Sequence, residues 1–306
     1  MRNKTIFHFF TLILLVVFVY SCKKVVQSNF PDIVQTPVLN SIIKQDSIIR
    51  INISLSGKLD SNDLTFVENA VVKLYVDDVL TETINHSTDG MYISKIIAET
   101  GKKYSCVVEM QEYDELKCSC TIPEKSEILE ISHKNLAYIN EEGTIFPSIT
   151  LKFKNNPDSL LYYEVVIKVL KYDSYFDETN SLYEKSAYFN APLVGIEDPV
   201  IINEGLPIAV FSNKIIPDSE YTMNLNYSTM GTSWNLSHLY PIIVELRSVS
   251  FEYYKYAQAL YLYEGQMDNE SIDGRIIPLP IYSNIEGGFG IFTGYSTYAT
   301  DTIFPE

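Results

Sequence analysis

The sequence is short of the residues on which common chemistries rely. It has 4 His, 4 Cys and 1 Trp in 306 residues. The histidines, His8, His86, His133 and His238, lie far apart, and no His-Glu-x-x-His or Gly-x-Ser-x-Gly pattern occurs. No Gly-x-x-x-x-Gly-Lys-Ser/Thr phosphate loop is present either. These gaps argue against an enzyme. Hydrolysis by paired carboxylates stays as a lesser reading, because 39 Asp and Glu supply acids for any pairing. Positive charge is scarce as well. With 23 Lys and Arg the net charge is -16, and no basic stripe breaks it, so a phosphate backbone would be repelled and nucleic acid is excluded as a partner. No cofactor or metal motif is found.

Only one long apolar run is present, and it lies at the front. Met-Arg-Asn-Lys is followed by apolar residues from Ile6 to Val19, interrupted by His8 and Thr11, and then by Tyr20-Ser21-Cys22. A positive head, a greasy middle shorter than the ~20 residues of a membrane span, and a small residue before the cut make a secretory signal. The small residue before Cys22 resembles a bacterial lipobox. That resemblance implies diacylation of Cys22, removal of residues 1–21, and attachment to a membrane through the lipid. Lys23 and Lys24 follow it, and going by the sorting rule of other bacterial lipoproteins the absence of Asp there fits the outer membrane, in either leaflet.

Three further cysteines lie close together. Tyr104, Cys106, Val108 and Met110 alternate onto one face of a strand; Leu116, Cys118, Cys120 and Ile122 do the same on the next. Cys106 could therefore meet Cys118 or Cys120 across a hairpin as a disulfide, or all three could be small buried side chains. Structural zinc needs four ligands and no histidine is nearby.

The expected organisation is a signal (1–21), a lipidated tether (22–34), a β-sandwich domain (35–124) and a β-rich C-terminal domain (125–306). Ile49, Ile51, Ile53 and Leu55 alternate with polar residues, and Asp77-Asp78 and Asp89-Gly90 mark turns between short strands. In the second block, residues 149–153, 162–169, 221–227 and 242–246 read as strands. Lys171–Lys185 and Pro192–Pro207 read as polar loops. A helix is expected from Phe251 to about Glu264, with Ser250 as N-cap and Tyr253, Tyr256, Ala257, Leu260 and Tyr261 on one face. The glycines of Glu286-Gly287-Gly288-Phe289-Gly290 read as a tight, bulged hairpin. The fold class is thus all-β, a sandwich followed by a sandwich or barrel-like domain with one main helix. Trp234, in Gly231-Thr232-Ser233-Trp234-Asn235, is the best single candidate for stacking on a ligand, set against ordinary core packing.

Several stretches carry a resemblance. Glu68 to Tyr75, Asp89 to Tyr92 and Gly101 to Tyr104 resemble immunoglobulin-like and transthyretin-like modules of bacterial surface proteins. Leu246-Arg247-Ser248, Tyr253-Tyr254-Lys255-Tyr256 and Ile281-Tyr282-Ser283-Asn284-Ile285-Glu286-Gly287-Gly288-Phe289-Gly290-Ile291-Phe292 resemble the C-terminal signature of domain-of-unknown-function family 4249. Asn155-Asn156-Pro157, Asp198-Pro199-Val200 and Phe211-Ser212-Asn213-Lys214 fit it too. The resemblance implies a Bacteroidota lipoprotein that works beside a TonB-dependent outer-membrane transporter, as a non-enzymatic accessory for an unidentified small molecule, glycan or peptide. The alternative is a structural or adhesive surface protein. The family carries no agreed catalytic residues, and its motif residues Tyr282, Ser283, Asn284, Gly287, Gly288, Gly290 and Phe292 are read as structural. It often has an acid where this chain has Asn213.

Overall fold

The computed structural model describes residues 34–57, 65–176, 182–229, 240–273 and 279–305. Its strands, in chain order, are β1 (Pro37–Lys44), β2 (Ile48–Leu55), β3 (Thr65–Phe66), β4 (Val71–Val76), β5 (Val79–Ile84), β6 (His86–Thr88), β7 (Met91–Ile97), β8 (Lys103–Glu109) and β9 (Leu116–Thr121), followed by β10 (Ile128–Ile139), β11 (Ile145–Lys154), β12 (Tyr162–Phe176), β13 (Leu182–Asn190), β14 (Val210–Ser212), β15 (Glu220–Asn226), β16 (Ile242–Val249) and β17 (Phe289–Ala299). Two helices are described, α1 (Pro199–Glu204) and α2 (Phe251–Asp273).

Local chemistry accounts for the first strands. On β2 the isoleucines at 49, 51 and 53 are buried while Arg50 is exposed, the period of two that a half-buried strand requires. Asp77 and Asp78 both take positive φ, 50° and 64°, which is the geometry of a two-residue hairpin turn whose twist matches its strands. Asp89 and Gly90 repeat it before β7.

One long sheet organises the molecule. Its order is β13-β12-β16-β17-β1-β2-β7-β6, with β14 added beside β12 and β3 beside β2. A four-stranded sheet, β5-β4-β8-β9, and a three-stranded sheet, β10-β11-β15, complete the set. The first core lies between β1, β2 and β7 on one side and β4, β8 and β9 on the other, and is mostly aliphatic. The second lies between β12 and β16 on one side and β11 and β15 on the other, and adds Phe153, Tyr163, Phe211 and Tyr227. The molecule is thus two β-sandwiches sharing a sheet. Among the described residues no sheet closes on itself, so the second sandwich is not barrel-like.

The strand that joins them comes last in the chain. β17 pairs in parallel with β1 from Val38↔Phe289 to Lys44↔Tyr295, and antiparallel with β16 from Val249↔Tyr295 to Glu245↔Ala299. Its first half therefore belongs to the first sandwich and its second half to the second. Phe292 enters the first core and Tyr298 packs on the second, from the same side of the strand. Segment 35–124 thus receives the strand that flanks β1 from the far end of the chain, which no local pattern announces.

Three expectations need correction. In Lys171–Lys185 the described residues, 171–176 and 182–185, are strand and not loop: β12 runs to Phe176 and pairs with β13 residue by residue, from Lys168↔Asn190 to Phe176↔Leu182. Backbone pairing makes this ribbon, so it needs no apolar alternation to announce it. Pro192–Pro207 contains α1, with Asp198 accepting from Val200 N at 3.0 Å as N-cap, Pro199 in the first turn, and Gly205 in the left-handed region at its C-terminus. Helix α2 begins where expected, Ser250 Oγ accepting from Tyr253 N at 3.3 Å, but continues to Asp273.

Candidate functional site: a seam between two sheets

The Tyr282–Phe292 stretch is not a hairpin, because the residues before β17 pair with a different sheet from β17 itself. Glu286 and Lys117 exchange backbone hydrogen bonds of 2.9 and 3.1 Å, which docks this segment on the edge of β9. The chain then crosses to the long sheet and becomes β17. Asn284 makes the crossing rigid: its Oδ1 accepts from Phe292 N at 2.9 Å, and its Nδ2 donates to Phe292 O at 2.8 Å and Ser119 O at 3.2 Å. One side-chain amide thus stands in for a strand neighbour and ties both sheets. Ser283 Oγ accepts from Ile285 N at 3.3 Å, and the Tyr282 ring meets Phe251 edge-on at 6.5 Å.

Close backbone approach explains the glycines. Gly290 has φ 112°, and a Cβ there would lie 2.0 Å from Leu39 O on β1; at Gly287, with φ 82°, it would lie 2.6 Å from Glu115 O. At Gly288 a Cβ would lie 2.6 Å from Pro37 O. Only glycine lets the segment lie against both β9 and β1.

Helix α2 covers the opposite face of the long sheet through a layer of charge. Arg247 on β16 donates to Glu164 on β12 at 2.8 Å and to Glu245 at 2.7 and 3.1 Å, and Lys168 pairs with Glu245 at 2.5 Å. Tyr253 OH on α2 donates to Glu164 at 2.9 Å, and the Arg247 guanidinium lies 4.9 Å from the centre of the Tyr295 ring. Burial acts to raise the Glu245 carboxyl, but Lys168 and Arg247 outweigh it and hold the group below the ordinary carboxylate value. Burial likewise opposes the charge on Arg247, and Glu164 first among its neighbours restores it. Burial, then Glu164, pushes Tyr253 upward, so its hydroxyl stays a donor. These charged residues were not singled out as a site in the sequence. The signal was there: Glu164 and Lys168 alternate with buried Tyr163, Val165, Ile167 and Val169 on β12, which marks a second, polar face.

Other deep acids are occupied in the same way. Glu204 accepts from Ser212 N and Oγ at 2.7 and 2.9 Å, and from Tyr254 OH and Gln258 Nε2 at 2.5 and 3.2 Å, locking α1, β14 and α2 together. The contact face of α2 therefore includes Tyr254 and Gln258, a quarter-turn from the expected centre. Asn213 accepts from Leu161 N at 2.9 Å and directs its Nδ2 at Asn155 Oδ1, Asn156 O and Ser159 O, all within 3.0 Å. Surrounded by carbonyl acceptors, the position calls for a donor, and Asn213 fastens a turn there.

Cys106 stands opposite Cys118, and Cys120 opposite Tyr104. All three thiols are free and buried, and burial pushes those of Cys118 and Cys120 upward. Lys117 turns its N–H and C=O outward to Glu286, so Cys118 turns its own toward β8. Cys106 and Cys118 thus form a hydrogen-bonded pair, where Cα atoms stand ~5.5 Å apart and side chains are held apart, which disfavours the tight Cβ spacing of a disulfide. Cys22 and Trp234 lie outside the described residues.

The clefts are open. One of about 430 Å³ is lined by Thr81, Glu82, Thr83, Asn85, Ile93 and Lys95, between the edges of β5 and β7. Another of about 390 Å³ lies at the seam, lined by Ser105, Lys117, Ser119, Glu252, Asn284 and Glu286. Both are polar and suit contact with a partner surface better than enclosure of a substrate. Among the described residues no group of three or more His, Cys, Asp or Glu is placed to hold a metal ion. Compared with protein-family models, residues 24–301 match the one described as Domain of unknown function (DUF4249). No curated protein matches the chain.

Proposed function

We propose that this chain, which belongs to the Domain of unknown function (DUF4249) family, is a lipid-anchored protein of the bacterial outer membrane. There it serves a TonB-dependent nutrient transporter as a non-catalytic accessory that presents or receives ligand. The observation that carries the reading is at the front of the chain: a positive head, one apolar run, and Ser21-Cys22 immediately before the matched region. A lipid is the anchor this arrangement calls for, and among the described residues no helix is long and apolar enough to cross a membrane.

The interior supports a scaffold role. Glu164, Glu245, Glu204 and Asp198 each accept from donors on neighbouring elements, which ties strands and helices together. The polar seam offers a surface for a partner protein. Two measurements test the proposal. Labelled palmitate should enter the wild-type chain and not Cys22→Ala, which should leave the membrane fraction. A tagged full-length copy should bring a TonB-dependent barrel with it from detergent-solubilised outer membranes. Absence of label in the wild type, or a pull-down without any barrel, overturns the respective half of the reading.

A further inference from the structure

Strand edges are where a sheet can add another chain, and most proteins cover them. Here the edge of β9 is taken by Asn284 and Glu286, and the edge of β15 is joined by Leu193 and Val194. At β5, Glu82 reaches over to Ser94 Oγ and Lys95 N. The edge of β10 is treated differently. Its 12 residues pair with β11 alone, and among the described residues nothing bonds its other side.

The ladder tells which β10 groups point outward. Asn155 N donates to Ser219 O, and Tyr227 N to Pro147 O, so odd-numbered positions of β11 serve β15. Even-numbered positions therefore serve β10: Lys152 faces Glu130, Thr150 faces Ser132, and Ser148 faces Lys134. The residues between, Ile131 and His133, turn their N–H and C=O to the open side. Register shifts between Ile128 and Glu130, and between Lys134 and Tyr138, bound this regular stretch, whose centre is Ser132.

We infer that the β10 edge joins the β10 edge of a second copy of this chain, antiparallel, about a two-fold axis at Ser132. In that register Ile131 and the second copy's His133 exchange backbone hydrogen bonds, and the symmetry repeats the pair. The same register sets Glu130 beside the second copy's Lys134, twice, and Ser132 beside Ser132. Opposite charges on directly opposed residues stabilise a sheet, and like charges destabilise it. Moving the register by two residues in either direction loses both ion pairs. The side chains are available for this. Glu130 is 77% exposed, and the Lys152 that approaches it at 3.9 Å has a closer partner in Glu220, at 2.7 Å. Lys134 makes no ion pair among the described residues. The stretch Glu130–Lys134 also carries one acid and one base, so it brings no net charge to a contact between chains of charge -16.

The test uses full-length protein in a mild detergent. Sedimentation should show a mass that rises toward a dimer between about 5 and 200 µM. Lys134→Glu should raise the dissociation constant more than about tenfold, as two attractions of roughly 0.7 kcal/mol are lost and two like-charge pairs take their place, and the swap Glu130→Lys with Lys134→Glu should restore it. Under mild oxidation Ser132→Cys should cross-link to itself. A mixture of Glu130→Cys and Lys134→Cys should cross-link to each other far more than either does alone. A chain that stays monomeric and a Ser132→Cys that stays uncross-linked overturn the inference. So does a dimer indifferent to Lys134→Glu, or a Ser132→Cys that captures a different protein. None of these readouts involves the lipid or a transporter, so this inference and the proposed function fail separately.

Discussion

The two sandwiches have similar apolar cores and differ in where they place their charges. The first closes over isoleucine, valine, leucine and three thiols, and its charged residues stay at the surface in exposed pairs such as Lys102–Asp77. The second has a core of similar aliphatic make-up around Phe153, Tyr163, Phe211 and Tyr227, but carries on the other face of its long sheet a half-buried network of Arg247, Glu164, Glu245 and Lys168 beneath a helix. The aliphatic positions of a core tolerate apolar swaps that keep the volume. A buried network is less tolerant, because each charge left without its partner bears the full cost of desolvation. The second sandwich should therefore be the more brittle under polar substitution, and the shared strand should be where both are brittle together.

The strongest way to break the comparison is at that strand. Gly290→Val puts a side chain 2.0 Å from Leu39 O at positive φ and should cost about 4 kcal/mol. Urea unfolding followed by circular dichroism should show both sandwiches destabilised; loss confined to one would mean that β17 does not couple them. Arg247→Ala comes next, leaving Glu164 without a cation and Glu245 with Lys168 alone, and should cost about 3 kcal/mol. Adding Glu164→Gln and Glu245→Gln should recover part of that loss. Asn284→Ala removes three hydrogen bonds at the seam and should cost about 1–2 kcal/mol, read as a lower unfolding midpoint.

The smallest effect is acid sensitivity. Burial lowers the His133 value, so the neutral ring is favoured in the fold, where its Nε2 lies 2.8 Å from Tyr227 OH. A group lowered on folding lends stability above its ordinary value, here 6.5, and that stability is lost as pH falls through the folded value. Glu245 behaves with the same sign one step lower: its contribution is complete above 4.5 and disappears on further acidification. Melting temperature should fall slightly from pH 7 to 5, with His133→Gln removing that slope, and fall again below 4.5. A rise on acidification would contradict both assignments.

Legibility in the sequence followed the same division. The isoleucines of β2 and the alternating Cys106 and Cys118 strands could be read directly, because one buried face and one wet face impose a period of two. The Asp77-Asp78 and Asp89-Gly90 turns could be read because few residues accept positive φ. The ribbon after Val169 could not, since backbone pairing holds it without a patterned face. At the seam, the glycines of 287–290 announced close approach without saying to what. A two-stranded hairpin and a crossing between sheets demand the same backbone freedom. Asn213 looked like a place where an acid was missing; the carbonyls around it explain the amide.

The amino-acid order by itself determined the net acidity, the all-β character and the helix start at Ser250, since composition or the pattern of near neighbours suffices for each. The tertiary structure alone decided that the final strand lies between the first and the sixteenth, that Arg247 gathers two carboxylates, and that Asn284 pins a crossing. Those contacts join residues up to about 250 positions apart, Val38 to Phe289 among them. Their free energy comes from completing a ladder or pairing a buried charge, and neither leaves a periodic trace in the chain that supplies only one of the partners.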